Sequence, residues 1–91
     1  MRAYERLMNY VKVHTTSQDG TGRTPTTERQ LDLARMLAEE MRAMGIADAR
    51  VDGFGYVYGS LPATLGCEKS PAIGWIAHMD TAQAFSGENV K

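Results

Sequence analysis

The feature that most constrains the fold is an apolar run in the C-terminal part of the sequence, Pro-Ala-Ile-Gly-Trp-Ile-Ala at residues 71–77. A half-buried strand alternates apolar and polar residues, whereas this run is apolar on both faces of an extended chain. We therefore predict a buried central strand over residues 72–79, covered on both faces by other parts of the fold.

Two segments with helical spacing precede this strand. A helix over residues 2–13 is predicted because one face carries Tyr4, Leu7, Met8 and Val11. The stronger pattern follows Thr27 and Gln30, which form a T-x-x-Q capping pair. Its apolar residues recur every three or four positions: Leu31, Ala34, Leu37, Ala38, Met41 and Met44. Gly45 stands where a left-handed C-cap is expected, so that Ile46 packs back on the last turn.

A polar loop separates the two predicted helices, and a predicted hairpin lies between the second helix and the strand. Residues 14–28 are rich in Thr, Ser, Gly and Asp, which is typical of a long, often functional loop. Residues 49–62, ARVDGFGYVYGSLP, predict two short strands around a glycine turn, with Val57 and Leu61 on one face and Tyr56 and Tyr58 on the other. Two helices, a hairpin and a buried strand indicate an α/β fold in one domain.

Composition excludes several classes of protein. Ten basic and eleven acidic residues give a formal net charge of −1, with no basic stripe to bind nucleic acid. The N-terminus has no apolar signal region, and no apolar run approaches the roughly 20 residues that span a bilayer. The single cysteine, Cys67, cannot form an internal disulfide, which is usual in a reducing compartment. We expect a cytoplasmic protein.

The most suggestive chemistry lies at His78 and Asp80, directly after the apolar run. Residues i and i+2 of a strand project to the same face, so the imidazole and the carboxylate are expected to lie together. A carboxylate beside an imidazole fixes its tautomer and raises its basicity, which suits a metal ligand or a general base. The pattern H-x-D is short, and a purely structural pair remains equally compatible with it.

The other candidate residues give weaker evidence for a functional site. His14 is placed at a helix end, where a cation favours the helix dipole, so we assign it a structural role. Cys67 lies in a loop with no histidine near it in sequence and is interpreted as an incidental thiol. The glycine-containing stretch at residues 19–22 lacks the phosphate-binding pattern of a P-loop.

Five stretches in order carry a resemblance to a known family: YVKVHTTS, TPTTERQLDLARMLAEEMRAMG, GYVYGSLPA, AIGWIAHMDTA and FSGENVK. Together they resemble the N-terminal part of the peptidase T family, the cytoplasmic tripeptide aminopeptidases among the di-zinc metallopeptidases. The resemblance covers nearly the whole chain. It implies the N-terminal part of a three-layer α/β/α catalytic domain, with the rest of that domain and a lid domain lying beyond residue 91.

The resemblance also implies roles for two residues. His78 matches the histidine that binds one of two zinc ions, and Asp80 matches the catalytic-site aspartate that orients this histidine. The expected reaction is removal of the N-terminal residue of a tripeptide by zinc-activated water. The other metal ligands and the general base would lie beyond residue 91, so we expect the chain alone to be inactive. His14 departs from the family, which usually has an acidic residue there.

Two rival interpretations stay open. A related zinc-dependent deacylase or dipeptidase would share H-x-D, although FSGENVK and GYVYGSLPA favour peptidase T. The chain could instead be a small α/β module that binds a partner and performs no chemistry. We further expect no nucleic acid or membrane partner, and we expect self-association through the strand at 72–79, because an uncovered apolar strand favours pairing between chains. The residues that bind substrate stay unassigned.

Overall fold

A computed structural model describes residues 1–90 of the chain. The elements follow one another as α1 (Ala3–Tyr10), α2 (Gln30–Ala43), β1 (Arg50–Val51) and β2 (Val57–Tyr58). The two helices and the antiparallel hairpin confirm the predicted α/β elements. No helix within residues 1–90 combines the length and the apolar character that crossing a membrane requires.

Helix α2 ends as the sequence predicts. Gly45 has a φ of +96°, its N–H donates to the Arg42 carbonyl at 3.0 Å, and the Ile46 N–H donates to the Met41 carbonyl at 3.0 Å. These two hydrogen bonds form a Schellman motif, which satisfies carbonyls that the helix leaves without partners. A glycine is needed because a side chain disfavours positive φ.

The start of α2 differs from the prediction. The helix begins at Gln30, and the Thr27 hydroxyl donates to the Thr16 carbonyl at 2.9 Å instead of capping a helix N–H. Gln30 does contact Thr27, but through its side-chain amide, 3.1 Å from the threonine Oγ1. The predicted capping box is therefore wrong: Thr27 Oγ1 donates to the Thr16 carbonyl and accepts from the Gln30 side-chain amide, and it accepts no helix N–H.

The hairpin packs against the C-terminal half of α2. Its register pairs Arg50 with Tyr58 and Val51 with Val57. A Cβ atom at Gly59 would lie 2.3 Å from Met41 Cε and 2.8 Å from Ile46 Cγ2, so any larger residue there would require these two side chains to shift. The buried apolar residues gather at this contact and along α2: Leu33, Ala34, Ala38 and Ala49.

Helix α1 is shorter than the predicted span of residues 2–13, and none of its residues is buried. Tyr10 donates a hydrogen bond to Glu40, and Arg6 Nε lies 2.7 Å from a Glu40 carboxylate oxygen. These polar contacts attach α1 to α2. The apolar face that predicted the helix stays largely exposed at Tyr4, Leu7, Met8 and Val11.

The predicted buried strand at 72–79 is wrong for this structure. The segment belongs to no strand, and Ile73, Trp75 and Ile76 are 80%, 92% and 100% exposed. A strand that is apolar on both faces needs neighbouring strands and covering helices. The two-stranded sheet does not include this segment, and its apolar side chains are not covered. The described residues form two helices and a two-stranded sheet and thus do not establish the three-layer architecture.

Candidate metal centre

His78 and Asp80 come together as their spacing predicts, although they lie on an unpaired segment. His78 Nδ1 is 3.1 Å from Asp80 Oδ1 and 3.1 Å from the Asp80 carbonyl oxygen. Both oxygens are acceptors, so the neutral ring donates from Nδ1 and keeps its lone pair on Nε2. That is the tautomer in which Nε2 is available to a metal ion.

The Asp80 carboxyl is held in its charged form. Its pKa lies below the ordinary value, first because of hydrogen bonding by the Ser17 side chain and second because of the His78 ring, while partial burial acts in the opposite direction. The Ser17 hydroxyl also donates to the Thr81 carbonyl at 3.1 Å. A hydroxyl carries one proton, so these two acceptors share it, and of the two only the Thr81 carbonyl meets the geometry of a hydrogen bond.

Solvent exposure limits what the pair contributes to stability. The His78 side chain is 85% exposed and that of Asp80 is 36% exposed. An exposed pair of this kind typically stabilises a fold by less than about 1 kcal/mol. The arrangement therefore matters for the direction of the imidazole, which presents Nε2 to solvent, more than for the stability of the chain.

The donor set fits one ligand position of a metal site. No group of three His, Cys, Asp or Glu side chains within residues 1–90 is placed to hold a metal ion. A catalytic zinc takes about three protein ligands. His78 Nε2, oriented by Asp80, would fill one such position, and the other ligands of a zinc site would lie outside the described residues.

The two remaining candidates, His14 and Cys67, form no hydrogen bond with His78 or Asp80. α1 ends at Tyr10, so His14 lies beyond its last turn, and the predicted interaction of His14 with the helix dipole is wrong. His14 instead lines a polar cleft with Thr16, Ser17 and Arg29. Cys67 is an exposed free thiol.

Sequence reasoning missed two features next to the pair. The first is a junction in which the buried Thr15 and Thr16, together with Ser17, contact the exposed Thr81. The second is an apolar cavity of about 860 Å³ beside His78, lined by α1, α2, the hairpin and residues 75–79. The loop composition signalled neither feature, because the junction joins positions 65 residues apart and the cavity is formed by several elements together.

Comparison with known proteins gives a consistent result. The chain is 51% identical over 87 residues to peptidase T of Desulfitobacterium hafniense strain Y51, a match that covers 96% of this chain and 21% of the relative. It is 47% identical over 90 residues to peptidase T of Clostridium perfringens strain 13, covering 98% and 22%. It is 42% identical over 90 residues to peptidase T of Halothermothrix orenii, covering 99% and 22%.

The alignments cover very different fractions of this chain and of its relatives. They take in nearly all of this chain, which spans about a fifth of the length of these curated relatives. No family model matches the chain. The alignments nevertheless extend across both helices, the hairpin and the His78–Asp80 segment, and the predicted resemblance is confirmed: these 91 residues belong to the peptidase T family as an N-terminal segment of it.

Proposed function

We propose that this segment supplies one zinc ligand, His78, and its orienting carboxylate, Asp80, to a di-zinc aminopeptidase that removes the N-terminal residue of tripeptides. The observation that carries the proposal is the hydrogen bond at 3.1 Å between His78 Nδ1 and the Asp80 carboxylate, which leaves Nε2 free. Peptidase T relatives, which match across this segment, support a peptidase over a deacylase.

Each residue has a separate task in this proposal. His78 Nε2 donates its lone pair to the metal ion. Asp80 holds the proton on Nδ1, restricts rotation of the ring and makes Nε2 more basic. Zinc, when bound, supplies Lewis-acid polarisation of the peptide carbonyl and a water nucleophile that is competent near neutral pH.

The proposal assigns no activity to the 91 residues by themselves. One histidine and one carboxylate do not complete a catalytic zinc site. The complete site needs ligands from the remaining four-fifths of a peptidase T polypeptide, which this chain does not span. A cytoplasmic location is part of the same proposal.

Hydrolysis assays on the full-length protein that contains this segment test the reaction. We expect cleavage of tripeptides, no cleavage of N-acylated amino acids, and loss of activity when a chelator removes zinc. Asp80→Asn should fold normally and lower activity or zinc affinity on the order of 10–100-fold, as is usual when a ligand loses its orienting partner. Preferred cleavage of acylated amino acids would favour the deacylase, and wild-type turnover by Asp80→Asn would refute the role of Asp80.

A further inference from the structure

The segment that carries His78 is attached to the fold at one point of the main chain. From residue 71 to residue 80, no backbone hydrogen bond connects this segment to the rest of the described chain. The first connections occur at Thr81, whose N–H donates to the Thr15 carbonyl at 3.3 Å and whose carbonyl accepts from the Ser17 N–H at 3.1 Å. Thr81 directly follows Asp80, so this contact sets where the Asp80 backbone lies.

Side chains reinforce the same contact. Thr16 Oγ1 lies 3.2 Å from Thr81 Oγ1 and accepts the Gly87 N–H at 2.9 Å. Thr15 and Thr16 are 3% and 6% exposed and are the buried polar residues of the described chain. We call these contacts among residues 15–17, Thr81 and Gly87 the threonine junction. Leaving a buried hydroxyl without hydrogen-bond partners costs free energy, so the junction favours one arrangement of residues 15–17 relative to residues 81–87.

The junction is itself fixed to the start of α2. The Thr16 carbonyl oxygen accepts hydrogen bonds from Thr27 Oγ1 at 2.9 Å and from Arg29 Nε at 2.8 Å. Thr27 and Arg29 immediately precede α2, which begins at Gln30. A continuous set of hydrogen bonds therefore runs from the longest helix through Thr16 to Thr81, the residue next to Asp80.

We propose that Thr16 is a positioning residue, which acts through Thr81 to hold the Asp80 carboxylate against His78 Nδ1. Its hydroxyl is the group that joins Thr81 and Gly87, and its carbonyl joins both to α2. The inference deepens the proposed function, because its consequence for catalysis rests on His78 being a zinc ligand. The effect on the imidazole itself is independent of zinc.

NMR on the 91-residue chain tests the inference at about pH 8, where an ordinary imidazole is neutral. Long-range ¹H–¹⁵N correlation distinguishes the two tautomers of His78. We expect the Nδ1–H tautomer in the wild type and in Thr16→Ser, which keeps the hydroxyl. In Thr16→Val, the signals should move towards those of a free imidazole, and the Thr81 amide should exchange about 2–10 times faster, as expected for one lost hydrogen bond.

A second variant disturbs the junction without removing a hydroxyl. A Cβ atom at Gly87 would lie 2.9 Å from both Thr16 Oγ1 and Thr81 Oγ1, so Gly87→Ala should change the His78 and Thr81 signals in the same direction as Thr16→Val. Gly74→Ala is the matched control, because a Cβ there meets no atom within 4 Å. Circular dichroism of each variant verifies that α2 is intact, and Gly87→Ala decides the question if Thr16→Val does not fold.

The outcomes separate this inference from the proposed function. Unchanged His78 and Thr81 signals in both Thr16→Val and Gly87→Ala would overturn the positioning role of Thr16, whatever the zinc content of the full-length protein. Changed signals in both variants, with recovery in Thr16→Ser, support it. They would continue to support it even if full-length His78→Ala kept its zinc, a result that would refute the proposed function alone.

Discussion

Replacing Gly55 by alanine tests how the hairpin turn lies against the start of α2. Gly55 has a φ of +85°, and an added Cβ would lie 3.2 Å from Leu31 Cδ2 and 3.2 Å from the Pro25 ring. Left-handed backbone costs a non-glycine residue about 1–2 kcal/mol, and overpacking typically adds about 1–3 kcal/mol. We therefore expect Gly55→Ala to lower the free energy of unfolding by about 2–5 kcal/mol.

Two other glycines separate the contributions. Gly45 has a φ of +96° and open space around its Cβ position, so Gly45→Ala should cost the backbone term of about 1–2 kcal/mol alone. Gly53 has neither a positive φ nor an atom within 4 Å. Gly53→Ala should be neutral or should stabilise by up to about 1 kcal/mol, because it restricts the unfolded chain.

Urea unfolding followed by far-ultraviolet circular dichroism measures these differences, since α2 contributes most of the signal. Trp75 fluorescence is unsuitable because this side chain is 92% exposed in the folded chain. If Gly55→Ala destabilises the chain no more than Gly45→Ala does, the close packing of the turn against Leu31 and Pro25 is incorrect.

The remaining predictions concern a phenol, the apolar segment and the metal. Burial and then the hydrogen bond to Glu40 raise the pKa of Tyr10 to about 12. The contribution of this phenol to the stability of the fold should be complete below the unfolded pKa of about 10 and should disappear as the pH rises towards 12. Tyr10→Phe should abolish the corresponding late step in an ultraviolet titration of the tyrosines. The chain should sediment as a dimer or larger species at micromolar concentration, and Ile76→Lys should reduce this association; a wild-type monomer of 10.0 kDa would contradict the expectation. Calorimetric titration of the isolated chain should show weak zinc binding or none, and tight stoichiometric binding would disprove the assignment of a single ligand.

Local patterns predicted the parts of the fold that depend on local interactions. The apolar period of residues 31–44 identified α2, and Gly45 identified its end, because a Schellman motif is built from neighbouring residues. The predicted cap at the start of α2 was wrong because the Thr27 hydroxyl donates to the carbonyl of Thr16, eleven residues away. Local sequence carries no signal for such a partner.

The prediction of a buried strand at 72–79 was wrong for a different reason. A segment that is apolar on both faces is typical of a strand covered by other elements on both sides. Residues 1–90 leave this segment outside the sheet and its apolar side chains exposed. The His78–Asp80 contact was nevertheless predicted correctly, since it depends on two residues in one extended segment. The threonine junction was not predicted, because it joins positions 65 residues apart, and T-T-S in a polar loop looks like any flexible connection.

Zinc content is the measurement that tests the central claim most directly. The full-length protein that contains this segment would be compared with His78→Ala and with His14→Ala, a control histidine that lines a cleft with Thr16 and Ser17 but is not hydrogen-bonded to His78 or Asp80. Elemental analysis should show that His78→Ala has lost one zinc ion per chain, whereas His14→Ala keeps the wild-type amount. Unchanged zinc in His78→Ala would contradict the assignment of His78 as a ligand.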